Sequence, residues 1–128
     1  MSALHPLLLV ALGGALGSVA RYLAALAVNR WAQSPFPWGT LFVNVVGSLL
    51  IGLIMVTLLR AGEWRENYRL LLVTGVMGGF TTFSSFSWET WKLIEDGRLP
   101  LAAVNIFASL GICLLATIAG AMLAKQFT

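Results

Sequence analysis

Apolar residues run along this chain in four long stretches, and the interruptions between them are short and polar. The first stretch covers Leu4 to Val28 and gives way to Asn29–Pro37, where Pro35 and Pro37 bar a continuous helix. The second covers Trp38 to Leu59 and opens on a tryptophan placed like an interfacial aromatic anchor. Arg60–Arg69 holds five charged residues and reads as a solvated connection. The third stretch covers Leu70 to Ile94, Asp96-Gly97 marks a turn, and the fourth stretch covers Leu99 to Ala124. A bilayer's hydrocarbon core is about 30 Å thick and takes about 20 apolar residues per helix. The pattern therefore predicts an all-α integral membrane protein: one domain over 1–128, with four transmembrane helices and very short loops.

The third stretch is not a plain span. Its centre reads Gly75-Val76-Met77-Gly78-Gly79-Phe80-Thr81-Thr82-Phe83-Ser84-Ser85-Phe86-Ser87. Glycines followed by paired threonines favour a break in the helix at membrane depth, and broken backbone must be buried or line a cavity. Carbonyls freed at such a break can hold a cation, whereas freed N–H groups favour an anion. A glycine-assisted packing kink is the simpler alternative. Phe83 and Phe86, three apart, share a face. The positive edge of a benzene ring can meet an anion without offering a proton, although such a pair standing alone reads as core.

Composition agrees with the membrane reading. The chain has 128 residues, 59% hydrophobic and 10% charged, with mean hydropathy +0.87. Soluble domains carry roughly 25% charged residues, so a water-soluble binding module is excluded. The net charge of +3 does not indicate a nucleic-acid partner. Arg30, Arg60, Arg65, Arg69, Lys92, Arg98 and Lys125 sit singly at segment ends, where they suit lipid headgroups. Cys113 is the single cysteine and has no partner for an intrachain disulfide. Ala25-Leu26-Ala27 loosely imitates a cleavage site, but Met1–Pro6 lacks a basic region and Arg21 interrupts the apolar run, so the first span is expected to be retained.

Small residues recur at the spacing that lets membrane helices approach closely: Gly13/Gly17, Ser48/Gly52, Gly75/Gly79 and Ala116/Gly120/Ala124. Most are expected to pack helices within the chain, and some to pack a second copy. With four spans, the N-terminus, the loop 60–69 and the C-terminus share one side, which carries Arg60, Arg65, Arg69 and Lys125. The other side carries Arg30, Lys92 and Arg98, with Arg21 near that end. So flat a positive-inside bias permits insertion both ways, and two orientations can pair as an antiparallel dimer.

Polar groups inside spans are expensive and mark candidate sites. Asn44 lies mid-span, one turn from Thr40 and one from Ser48, so the three form a stripe. Its amide offers two donors and an acceptor, suited either to an interhelical bond or to an anion in a pore. The fourth span carries Asn105, Ser109, Cys113 and Thr117 at every fourth residue. Arg21 is expected to snorkel or to pair with helix C-terminal carbonyls, a structural role. Glu89 is an interfacial acid or a member of the polar track. No nucleophile with a partner base, no His/Cys/Glu cluster and no phosphate-binding loop is present, so no catalytic site is expected.

Three motifs taken together carry a resemblance. Gly13-Gly14-Ala15-Leu16-Gly17 with Arg21-Tyr22, then Trp38-Gly39-Thr40-Leu41-Phe42-Val43-Asn44, then Gly78 through Ser87 resemble the Fluc (CrcB-type) fluoride channels in order and spacing over all four spans. The resemblance implies an antiparallel, dual-topology homodimer with two pores. Such a dimer exports fluoride passively across the inner membrane of a bacterium and protects the cell from its toxicity. It implies Asn44 as the pore asparagine, Phe83 and Phe86 as the pore phenylalanines, and Ser109 as a pore hydroxyl, with Thr40 and Glu89 as further polar-track positions. Cys113 stands where a second hydroxyl is expected. The carbonyls of Gly78 and Thr81, from both subunits, would enclose a structural sodium ion at the dimer axis, with Arg21 supporting the fold near the pore entrance. No organic cofactor is implied. Two other readings compete. A four-helix multidrug exporter would need an acid in its first span, which is absent, and a non-conducting assembly subunit would use the small-residue faces alone.

Overall fold

A computed structural model describes residues 4–127, so Met1–Ala3 of the N-terminal segment and Thr128 lie outside the described residues. Four helical segments are long and apolar enough to cross a membrane, at 5–32, 38–58, 62–95 and 99–127. The first span is helix α1 (Leu4–Ala32) and the second is α2 (Trp38–Leu58). The third opens with a 3₁₀ turn (Gly62–Trp64) and α3 (Arg65–Tyr68), continues as a π-wound segment (Arg69–Met77), and closes with α4 (Gly78–Phe80). Thr81 and Thr82 are extended, and the span resumes as α5 (Phe83–Glu95). The fourth span is α6 (Leu99–Phe127).

The fourth span runs on to Phe127, and boundaries differ more informatively from the sequence reading at two other places. Helix α1 runs one turn beyond Val28, and Asn29 in that turn serves the next helix: its Oδ1 accepts the Gly39 N–H at 2.9 Å. That bond caps α2, whose preceding Pro37 supplies no side-chain acceptor. The connection narrows to 33–37, where Phe36 is buried and stacks on Trp38 with ring centroids 4.7 Å apart. Arg60–Arg69, read as a loop, is mostly helical. Its charges support the winding, with Arg69 Nη2 on Glu66 Oε1 at 2.6 Å, one turn apart.

Between membrane helices, apolar contact gains little over contact with acyl chains, so close backbone approach and interhelical hydrogen bonds hold the bundle. Both are present at the small-residue positions. Helix α1 lies against the π-wound segment and α4, and a Cβ on Gly75 would sit 2.8 Å from Gly13 Cα. A Cβ on Gly79 would sit 2.6 Å from the Gly14 carbonyl oxygen, and one on Gly17 would overlap the Val76 carbonyl. Helices α2 and α6 form the other close pair, where Gly52 and Gly120 admit the carbonyls of Thr117 and Leu49. Thr117 Oγ1 donates across it to the Ser48 carbonyl at 3.0 Å. Helix α5 is the loosely held member, touching mainly α6.

Candidate functional site

The break in the third span is where the fold departs from plain helix, and it falls at the threonines rather than the glycines. Gly78 and Gly79 remain helical, and the missing side chain of Gly79 serves the contact with α1. At the end of α4, Thr81 turns back on its own helix: its N–H and its hydroxyl both donate to the Met77 carbonyl, at 3.0 and 2.9 Å. Thr82 then opens α5 as its cap, its Oγ1 accepting the Ser85 N–H at 3.1 Å. A helix C-terminus and a helix N-terminus therefore meet head to tail at membrane depth. The first offers carbonyls and partial negative charge, the second N–H groups and partial positive charge. Both alternatives left open by the sequence are present, on opposite sides of one dipeptide.

Two side chains from other helices hold this junction. Asn44, from the middle of α2, makes a two-bond ring with the Thr82 backbone. Its Nδ2 donates to the Thr82 carbonyl at 3.0 Å and its Oδ1 accepts the Thr82 N–H at 2.8 Å. One N–H of the Asn44 amide remains for another acceptor. Arg21, from α1, donates through Nε to the Gly79 carbonyl at 3.1 Å. A cation on the last turn of a helix also complements its dipole. Of the two options the sequence left for Arg21, the geometry is that of pairing with helix-terminal carbonyls.

The remaining candidates fall on two concavities that share Thr82. A groove of about 390 Å³ between α2, the third span and α6 is lined by Asn44, Ser48, Gly78, Thr81, Phe83, Phe86, Ser109 and Cys113. Phe86 is buried and Phe83 is 73% exposed, their ring centroids 5.3 Å apart. So open a phenylalanine leaves one wall of the groove at the surface of the single chain. The second concavity, about 500 Å³, is lined by Arg21, Asn29, Thr40, Ser84, Ser85 and Glu89. There Thr40 Oγ1 donates to Glu89 Oε1 at 2.5 Å.

Two stripes read from the sequence are thus divided. In α2, Thr40 faces the second concavity while Asn44 and Ser48 face the first. In α6, Ser109 and Cys113 line the groove, Asn105 is buried behind them against α5, and Thr117 bonds α2. An α-helix advances 400° over four residues, so a four-residue repeat drifts around the axis. Thr90 was missed. Its hydroxyl donates to the Phe86 carbonyl one turn back, at 2.7 Å, a habit of isolated threonines that carries no sequence signal.

Among the described residues, no group of three His, Cys, Asp or Glu is placed to hold a metal ion. Backbone oxygen is an alternative donor for a cation here, and Gly78 and Thr81 would fit that role. Both line the groove and both belong to the last turn of a broken helix, whose freed carbonyls are hard oxygen donors suited to an alkali cation. Both proton donors of Thr81, its N–H and its hydroxyl, are already committed to the Met77 carbonyl.

Comparison with known proteins agrees with this architecture. A family model described as CrcB-like protein, Camphor Resistance (CrcB), matches residues 8–121. A relative from Geobacter sulfurreducens, named fluoride-specific ion channel FluC, is 52% identical over 120 residues, covering 94% of this chain and 97% of the relative. A protein of the same name from Agrobacterium fabrum is 52% identical over 118 residues, covering 92% and 94%. A third, from Geobacter metallireducens, is 50% identical over 117 residues, covering 91% and 94%. With four helices able to span a bilayer, the chain is an integral, multi-pass membrane protein.

Proposed function

We propose, since the chain belongs to the CrcB family, that it conducts fluoride passively through pores formed by an antiparallel, dual-topology homodimer. In this reading it sits in the bacterial inner membrane, relieves the cell of fluoride and carries out no catalysis. The observation that carries the reading is the single groove that gathers Asn44, Phe83, Phe86 and Ser109 from three spans beside the broken helix.

Fluoride is small and strongly hydrated, so a conducting path must replace its water with hydrogen-bond donors that hold it without trapping it. The free N–H of Asn44, the hydroxyl of Ser109 and the first-turn N–H groups of α5 are such donors. None carries a full positive charge. The ring edges of Phe83 and Phe86 add weak positive potential along an otherwise apolar wall. Thr40 and Glu89, in the second concavity with Arg21, continue the polar track toward one membrane surface. Arg21 acts as support for the break and not as an ion ligand.

The homodimer is favoured by the exposed Phe83 wall, by the loosely held α5 and by the flat distribution of basic residues. A second copy in the opposite orientation would cover that wall. The Gly78 and Thr81 carbonyls of both copies would hold a sodium ion, whose positive charge would tie the two carbonyl-bearing helix ends together.

Purified protein in liposomes, with valinomycin for charge balance, tests the reading. Fluoride efflux that depends on valinomycin and is absent for chloride is expected. Folded, dimeric protein that releases no fluoride would overturn it in favour of an assembly subunit. Exchanging sodium for an organic cation during preparation is expected to lower the flux and to melt the dimer at lower temperature.

A further inference from the structure

Behind Ser109, away from the groove, lies a chain of side-chain hydrogen bonds whose directions can be assigned one by one. The Phe86 carbonyl can only accept, and it takes the Thr90 hydroxyl proton at 2.7 Å. The Thr90 oxygen, its proton committed, can then only accept, and it takes an N–H from Asn105 Nδ2 at 2.9 Å. That bond fixes the Asn105 amide, so its Oδ1 must face the other way, toward Ser109. Oδ1 has no proton, and Ser109 is therefore the donor in the contact between them, at 3.4 Å. Asn105 is 1% exposed and does not line the groove, whereas Ser109 does.

We propose that Asn105 is the positioning residue of the path, holding the Ser109 hydroxyl proton on its side-chain carbonyl until an anion draws it into the groove. The inference rests on the fluoride-channel reading and deepens it. The 3.4 Å separation lies outside the usual range of strong O–H···O bonds, so the proton is satisfied but weakly held. Rotation about the Ser109 Cβ–Oγ bond turns the same proton to an anion in the groove. No bond to carbon or oxygen is broken and no proton leaves the serine. The exchange favours a strong hydrogen-bond acceptor over a weak one, because only a strong acceptor gains more than the contact it replaces. Without Asn105 Oδ1, the Ser109 hydroxyl would turn to the carbonyl one turn back in its own helix, a tighter partner that releases it less readily.

The test is the fluoride concentration giving half-maximal current in planar bilayers, measured for Asn105→Leu, Ser109→Ala and the double variant. Each single change is expected to raise that concentration about tenfold, as for loss of one hydrogen bond to a charged group. The double variant is expected to match the singles, because both remove the same donor. Additive effects, or an unchanged half-maximal concentration in Asn105→Leu, would overturn the inference. Should Asn105→Leu fail to fold, Asn105→Asp decides. Its protonated carboxyl reproduces the amide, O–H toward Thr90 and carbonyl toward Ser109, so current is expected to recover reversibly as pH falls. A current that ignores pH would overturn the inference. Native protein that conducts no fluoride would overturn the function itself, an outcome distinct from a conducting channel with additive variants.

Discussion

The side-chain amide of Asn44 and the backbone of Thr82 form a closed pair of hydrogen bonds, 2.8 and 3.0 Å long, across the interface between α2 and the broken third span. The residue proposed to donate to the anion is thus also the clamp that holds the break open. Replacing it by alanine orphans a backbone N–H and a carbonyl at membrane depth, worth about 2 kcal/mol for the two interhelical bonds. Asn44→Ala is expected to lower both the melting temperature in detergent and the fluoride flux, the latter at least tenfold. Asn44→Asp keeps an acceptor for the Thr82 N–H, yet it loses the donor to the Thr82 carbonyl and, when ionised, sets a negative charge in an anion's path. It is expected to regain stability relative to alanine without regaining flux. Native melting and native flux in Asn44→Ala would remove the residue from the site.

Arg21 bonds the Gly79 carbonyl on the other side of the same junction. Arg21→Ala removes both a charge-assisted bond and a cation from a helix C-terminus, at a cost of about 2 kcal/mol. Arg21→Lys keeps the charge without the planar nitrogen that reaches the carbonyl, so an intermediate melting temperature is expected. Selectivity between fluoride and chloride is expected to be unchanged in the folded fraction of either variant. A changed selectivity ratio would mean that Arg21 meets the ion directly.

How much of this was legible beforehand differs from element to element. Four spans follow from apolar run length alone, and the packing faces follow from Gly13, Gly17, Gly52, Gly75 and Gly120, because close approach leaves room for nothing larger. The break was legible as a region but not as a residue. The glycine pair and the threonine pair together point to a break, while the extended backbone belongs to Thr81 and Thr82 alone, and Gly79 serves the contact with α1. The division of Thr40 from Asn44, and of Asn105 from Ser109, was not legible. Residues four apart share a helix face only approximately, and which neighbour meets that face is decided by the other helices. Hydrogen-bond direction, on which the roles of Asn105 and Thr90 depend, has no sequence signature.

Thr40 and Glu89 lie 49 positions apart and are joined by a 2.5 Å hydrogen bond at the second concavity. Thr40→Val keeps the shape and deletes the donor. Glu89→Gln keeps an oxygen that accepts from Thr40. Thr40→Val is therefore expected to reduce fluoride flux severalfold and Glu89→Gln less. A double-variant cycle in the melting temperature should show a coupling of about 1 kcal/mol. Independent effects of the two changes would separate the residues functionally despite their contact.

The approach of Gly13 to Gly75 makes a sharp stability prediction. A methyl on Gly75 would lie 2.8 Å from Gly13 Cα, backbone against backbone, with no flexible side chain to give way. Gly75→Ala is expected to cost about 1–3 kcal/mol by overpacking. Gly14→Ala and Gly111→Ala, where a Cβ meets nothing within 4 Å, serve as controls and should melt like the native protein. Equal melting of all three variants would show that α1 and the third span are farther apart than described.

Cys113, partly exposed and one turn beyond Ser109 on the groove wall, offers a probe that needs no introduced residue, since the chain has one cysteine. A thiol is a weak hydrogen-bond donor beside a hydroxyl, so the groove is less well supplied with donors at this level than at Ser109. Cys113→Ser is expected to conduct at least as well as the native protein, with half-maximal current at a lower fluoride concentration. A small methanethiosulfonate reagent should reach the native thiol from the groove and reduce the flux, and leave Cys113→Ser unaffected. Quantitative labelling of Cys113, checked by mass, with no loss of flux would show that fluoride does not pass this wall.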